Sequence, residues 1–100
     1  MTKRETVYIS GPMAGLPHFN YPAFDAMEHQ LVRAGYGVRN PANIAGEHSW
    51  TWQQWMKAAI QLQMDADVVY MLPGWRKSRG VRIERRLALI LGQRVEGASE

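Results

Sequence analysis

No cysteine occurs in the 100 residues of this chain, which excludes a disulfide framework and a thiolate metal site. No apolar run approaches the roughly 18 residues that a membrane-spanning helix needs. The opening residues Met1-Thr2-Lys3-Arg4-Glu5-Thr6 lack the apolar stretch of a secretory signal, so a cytoplasmic protein without membrane contact is expected. The three histidines, His18, His29 and His48, are scattered and have no carboxylates at ligand spacing. No metal site is expected from them. Internal repeats and low-complexity tracts are also absent, and no cofactor is implied. The length suits one domain over residues 1–100, with residues 96–100 expected to fray. A chain this short is small for closing a cleft by itself.

The net charge of +3 is modest, but Arg76, Lys77, Arg79, Arg82, Arg85 and Arg86 are crowded together. Such a cluster attracts phosphate, on nucleic acid or on a small nucleotide. A solvated helix face is the simpler account of the three helix arginines, and nucleic acid is not the expected partner. The cluster belongs to the stretch that organises the chain. The apolar run Val68-Val69-Tyr70-Met71-Leu72 reads as a buried strand, and a loop through Gly74 leads to a helix ending near Gly92. At about 100° per residue, Val81, Ile83, Leu87, Ala88, Ile90 and Leu91 share one arc of that helix. Arg82, Arg85 and Arg86 share the other. Glu84 falls inside the apolar arc. Burying an unpaired carboxylate costs several kcal/mol, more than the roughly 0.3–1 kcal/mol that a helix N-terminus returns. Glu84 therefore reaches solvent or an arginine at the edge of the arc, or it has a partner and a chemical task.

Elsewhere, Thr6–Ser10 reads as a first strand, ended by Gly11-Pro12. The loop to Asn20 holds Gly11, Pro12, Gly15 and Pro17, too many breakers for regular structure. Asn20 suits a helix N-cap, with Pro22 in the first turn and Phe24, Met27 and Leu31 on the buried face. Tyr36-Gly37-Val38 reads as a second strand, Trp52 to Met64 as a second helix, and Arg94-Val95 as a short last strand. This alternation predicts a small doubly wound, flavodoxin- or Rossmann-like α/β fold. Its parallel sheet has four or five strands in the order 2-1-3-4, with helices on both faces. The switch point falls between strands one and three, where Tyr8 and Glu84 converge.

Those residues also carry a resemblance. Tyr8-Ile9-Ser10-Gly11-Pro12-Met13, Asn40-Pro41-Ala42, Asp67-Val68-Val69, Leu72-Pro73-Gly74-Trp75 and Ser78-Arg79-Gly80 with Glu84 resemble the DUF4406-like proteins of phages and prophages. That family is similar to nucleoside 2-deoxyribosyltransferases and 2′-deoxynucleoside 5′-monophosphate N-glycosidases. The resemblance implies that Glu84 is a nucleophile toward C1′ of a deoxyribonucleotide and that Tyr8 orients it. It implies hydrolysis or transfer through a covalent glycosyl-enzyme. Ser10, Gly11, Pro12, Met13, Trp75, Ser78, Arg79 and Gly80 would bind substrate and phosphate, with Trp75 stacking on a base. Ser at position 78, six residues before Glu84, is what the monophosphate-selective relatives carry. Ser78 is also a good helix N-cap, and the two roles are compatible. Relatives have an acid on the second helix to protonate the leaving base, where this chain has Ala59. A non-catalytic nucleotide-binding protein of the same fold is therefore the alternative. Trp50, Trp52 and Trp55 read as core or subunit interface, and a homodimer or larger homo-oligomer is expected.

Overall fold

The computed structural model describes residues 4–99. Four strands, β1 (Thr6–Ser10), β2 (Gly37–Arg39), β3 (Val68–Met71) and β4 (Arg94–Gly97), pair in parallel in the order β2-β1-β3-β4. Three helices connect them: α1 (Tyr21–Arg33), α2 (Trp52–Met64) and α3 (Arg79–Leu91). Parallel neighbours require crossover connections, and helices supply them here. The 2-1-3-4 order is the expected one. The sheet has four strands among the described residues, and no helix among them is long and apolar enough to cross a membrane.

Period-two alternation in β1 divides the core between the two faces of the sheet. Val7 and Ile9 pack with Phe24 and Leu31 of α1, while Tyr8 packs with Val69, Met71 and the α3 residues Val81 and Ala88. α2 starts at a capping box, in which Thr51 Oγ1 accepts from Gln54 N and Gln54 Oε1 accepts from Thr51 N. α3 is capped by Ser78, whose Oγ accepts from Val81 N at 3.3 Å. Two buried glutamines join these elements. Gln93 Nε2 donates to the carbonyls of Gln63 and Ala66, and Gln63 Nε2 donates to Gln93 Oε1 and to the Glu84 carbonyl at 2.7 Å. The end of α2, the start of β4 and the middle of α3 are thereby fixed to one another.

Several local expectations need correction. β2 begins at Gly37, because the Tyr36 amide closes the end of α1 by donating to the Leu31 carbonyl. Asn20 stands before α1 with a left-handed φ of 61° and does not cap it; its Nδ2 donates to the Pro12 carbonyl instead. Glu96 and Gly97, expected in a frayed end, pair with Tyr70 and Met71 in β4, and residue 100 lies outside the described residues. Half of the apolar arc on α3 is uncovered: Ile83, Ile90 and Leu91 are exposed, Leu87 is half-buried, and the buried positions are Val81, Glu84 and Ala88. Asp67 needs no correction: it is structural, as its sequence position suggests, and accepts the Thr6 amide at 2.9 Å.

Candidate active site

Glu84 lies one and a half turns into α3 and is 5 % exposed. Its Oε2 accepts from Tyr8 Oη at 2.8 Å, and its Oε1 accepts from Ser10 Oγ at 2.6 Å. Both donors come from β1, two residues apart, so the strand's alternation aims them at the same face. Both are buried, at 1 % exposure each. The ion pairs among the described residues, Arg39–Asp65, Arg94–Glu5 and Arg94–Glu96, leave Glu84 out. The carboxylate is thus neither at a solvated edge nor paired with an arginine. Among the described residues, neutral hydroxyls alone hold it.

This arrangement has a clear electrostatic consequence. Burial pushes the Glu84 carboxyl above the ordinary carboxylate range, and the hydrogen bonds from Ser10 and Tyr8 offset part of that push. Tyr8 is held well above the usual phenol value by burial first, then by the Glu84 charge and by its hydrogen bond to Glu84. Tyr8 therefore stays protonated and remains a donor. Gln63 fixes the backbone of the same helical turn, and its own Oε1 is buried without a partner among the described residues.

Glu84 and Tyr8 open onto a cavity of about 550 Å³. One wall is the loop after β1, with Gly11, Met13 and Phe19, and another is the segment after β2, with Ile44, Gly46 and His48. α2 contributes Trp52, Trp55, Met56 and Ala59, and the start of α3 contributes Ser78, Gly80 and Val81. Close backbone approaches shape these walls. A Cβ on Gly11 would stand 2.8 Å from Leu72 Cδ1, and one on Gly46 would stand 2.5 Å from Trp55 Cη2. Trp50 packs edge-on against Trp55 with ring centroids 4.8 Å apart. The indole-rich segment is therefore cavity wall, and Trp52 and Trp55 face the cavity directly.

Six of the ten residues expected at the site line this cavity: Tyr8, Gly11, Met13, Ser78, Gly80 and Glu84. Ser10, among the residues expected to bind substrate and phosphate, has its hydroxyl proton committed to Glu84. Period-two spacing from Tyr8 was the signal that could have placed it there. Arg79 lies at the rim, with its guanidinium carbon 4.0 Å from the centroid of the Trp52 ring. Pro12 accepts Asn20 Nδ2 through its carbonyl and is not among the lining residues. Trp75 does not share the cavity. Its Nε1 donates to the Ala98 carbonyl, and its ring lines a separate groove with Arg82, Arg85 and Arg86. The aromatic residues lining the cavity with Glu84 are instead Tyr8, Phe19, Tyr21, Trp52 and Trp55.

The chain belongs to the DUF4406 family, described as a domain of unknown function: the family model matches residues 5–96, nearly the whole length. No curated protein matches the chain.

The raised Glu84 pKa sets a sign for stability. A group whose pKa is higher in the folded than in the unfolded state stabilises the fold fully below its unfolded pKa. That contribution is lost as pH rises through the folded value. Wild-type protein should therefore lose melting temperature, relative to Glu84→Gln, as pH rises from about 4 toward neutrality. At neutral pH the variant should melt at or above wild type, because a carboxamide can still bond both hydroxyls without carrying a buried charge. Thermal denaturation of the two proteins across that range checks this, and a difference independent of pH contradicts it.

Proposed function

We propose that this DUF4406 protein cleaves the N-glycosidic bond of a 2′-deoxynucleoside 5′-monophosphate or related nucleotide. A covalent glycosyl-Glu84 intermediate carries the reaction to hydrolysis or to deoxyribosyl transfer. The supporting observation is the carboxylate itself: buried, without a cation among the described residues, gripped by Tyr8 and Ser10, and open to a cavity large enough for a ligand. A structural carboxylate in such a place would normally have a cation or be replaced by an apolar side chain. Two neutral donors orient the oxygens while leaving the negative charge largely uncompensated, as a nucleophile requires. In the first step a Glu84 oxygen bonds to C1′ as the C1′–N bond breaks, and the electron pair departs on the base, which takes up a proton. Water, or a second base, then attacks C1′ and releases the carboxylate.

The rest of the cavity suits the same substrate. Its aromatic side chains offer apolar faces to a base and sugar. Ser78 accepts from Val81 N, which leaves its hydroxyl proton free for a phosphate oxygen at the N-terminus of α3. Incubation with a panel of deoxynucleosides and their monophosphates should yield free base, with monophosphates preferred. Glu84→Gln should retain ligand binding and lose base release by several orders of magnitude. Near wild-type turnover in that variant rules out the covalent route. If monophosphates bind but no member of the panel is cleaved, the protein is a nucleotide binder of this fold, a reading favoured by the apolar Ala59 in the cavity wall.

The same reading includes assembly in the cytoplasm as a homodimer or larger homo-oligomer. With Trp52 and Trp55 in the cavity wall, its support is the uncovered apolar strip of α3, where Ile83, Ile90 and Leu91 are 40 %, 72 % and 48 % exposed. Sedimentation at micromolar concentration should give a species of at least twice the 11.4 kDa chain mass, and Ile90→Glu should shift it toward monomer. A wild-type monomer throughout that range defeats the assembly proposal.

A further inference from the structure

Breaking a C1′–N bond leaves an electron pair on the base, and most nucleobases depart slowly unless that pair is protonated. The cavity holds few candidates for the donor. Its ionisable lining side chains among the described residues are Tyr8, Tyr21, His48 and Glu84. α2 contributes only Trp52, Trp55, Met56 and Ala59 to the lining, none of them an acid. Glu84 is committed to C1′, and Tyr8 gives its hydrogen bond to Glu84. Phenols as a class keep their protons at neutral pH, whereas imidazole is the side-chain type that both carries and releases one there.

The segment carrying His48 is held in place over the cavity. Gly46 presses its backbone against the Trp55 and Trp50 rings, so closely that a Cβ would stand 2.5 Å and 2.8 Å from them. The Gly46 amide donates to the Ile44 carbonyl at 3.0 Å, and the Trp50 amide donates to the Glu47 carbonyl at 3.0 Å. His48 therefore sits in a turn closed at its base, lines the cavity and is exposed to water.

We propose that His48 is the proton donor to the departing base and, in the second half of the reaction, the base that activates water. This rests on the glycosidase reading above. In the first half, a Glu84 oxygen bonds to C1′, the C1′–N pair moves onto the base nitrogen, and imidazolium delivers its proton to the base. Neutral base and neutral imidazole result. In the second half, water loses a proton to that imidazole and its oxygen bonds to C1′. The C1′–O bond to Glu84 breaks, the carboxylate returns, and His48 is again imidazolium. No other reactant is needed.

The test uses leaving groups that differ in their need for a proton. Wild type, His48→Gln and His48→Asn are assayed on the 2′-deoxynucleoside 5′-monophosphates of guanine and uracil. Their N7-methylguanine and 5-fluorouracil counterparts are assayed alongside; the first departs as a neutral base without protonation, and the second departs more readily as an anion. Melting temperatures should be nearly unchanged, since His48 is exposed. Both variants should lose roughly 10²- to 10⁴-fold in kcat on the natural base that wild type releases, and only a few-fold on its activated counterpart. Equal losses on both members of a pair, or no loss on the natural base, overturns the assignment while leaving the glycosidase reading intact. Wild type inert on all four substrates overturns both.

Discussion

A buried carboxylate held by two hydroxyls is the constraint on which this small fold turns. Glu84 sits where the helix would otherwise place an apolar side chain, and desolvation of its charge has to be offset by Tyr8 and Ser10. That requirement fixes much else. Tyr8 and Ser10 have to face α3 together, which places the alternation of β1 and its register against Val69 and Met71 under strict control. α3 has to keep its rotation over the sheet, and the Gln63–Gln93 pair, bonded to the Glu84 carbonyl and to the end of α2, supports that rotation. The cavity then follows from the topology. The order β2-β1-β3-β4 opens a crevice beyond the carboxyl ends of β1 and β3, and Glu84 forms part of its wall.

Much of this was legible in the residues. The strand and helix alternation fixed the sheet order, because short connections and right-handed crossovers leave few other solutions. Helical periodicity placed Glu84 inside the apolar arc of α3 but left open whether it reaches solvent or an arginine at the edge; its burial is decided by the partners on β1. The boundaries of α2, Trp52 and Met64, were readable from apolar spacing, and its capping box adds a local reason for them. The site was less legible where side chains are committed by distant partners. Ser10 reads as a strand-end residue that the resemblance assigns to substrate and phosphate, until Glu84 stands 2.6 Å from it. Asn20 has the right type for a helix cap, yet its backbone is left-handed and its amide serves Pro12. Trp75 lies near Ser78 in sequence, but its indole N–H is drawn to the Ala98 carbonyl and its ring leaves the site.

The loop after β2 shows the same limit from the other side. Nothing periodic marks residues 44–50, and no signal in the sequence points to the role proposed for His48, because its neighbours in the cavity come from other elements. Gly46 was the readable hint. A glycine close in sequence to Trp50 and Trp55 allows backbone to lie flat on indole, and this contact carries the loop over the cavity. The exposed strip of α3 is likewise a mismatch between pattern and packing: the apolar arc is wider than the surface that one chain covers. Pattern reports what a helix can bury. The neighbours decide how much of it is buried.

The claim at the centre of the account is that a Glu84 oxygen forms a bond to the sugar. Protein quenched with acid during turnover of a deoxynucleoside monophosphate, digested and analysed by mass spectrometry, tests it directly. The peptide containing Glu84 should carry a deoxyribosyl phosphate ester that accumulates with base release and is absent from Glu84→Gln. Base release with that peptide unmodified at every time point, or an ester found on a different residue, would contradict it.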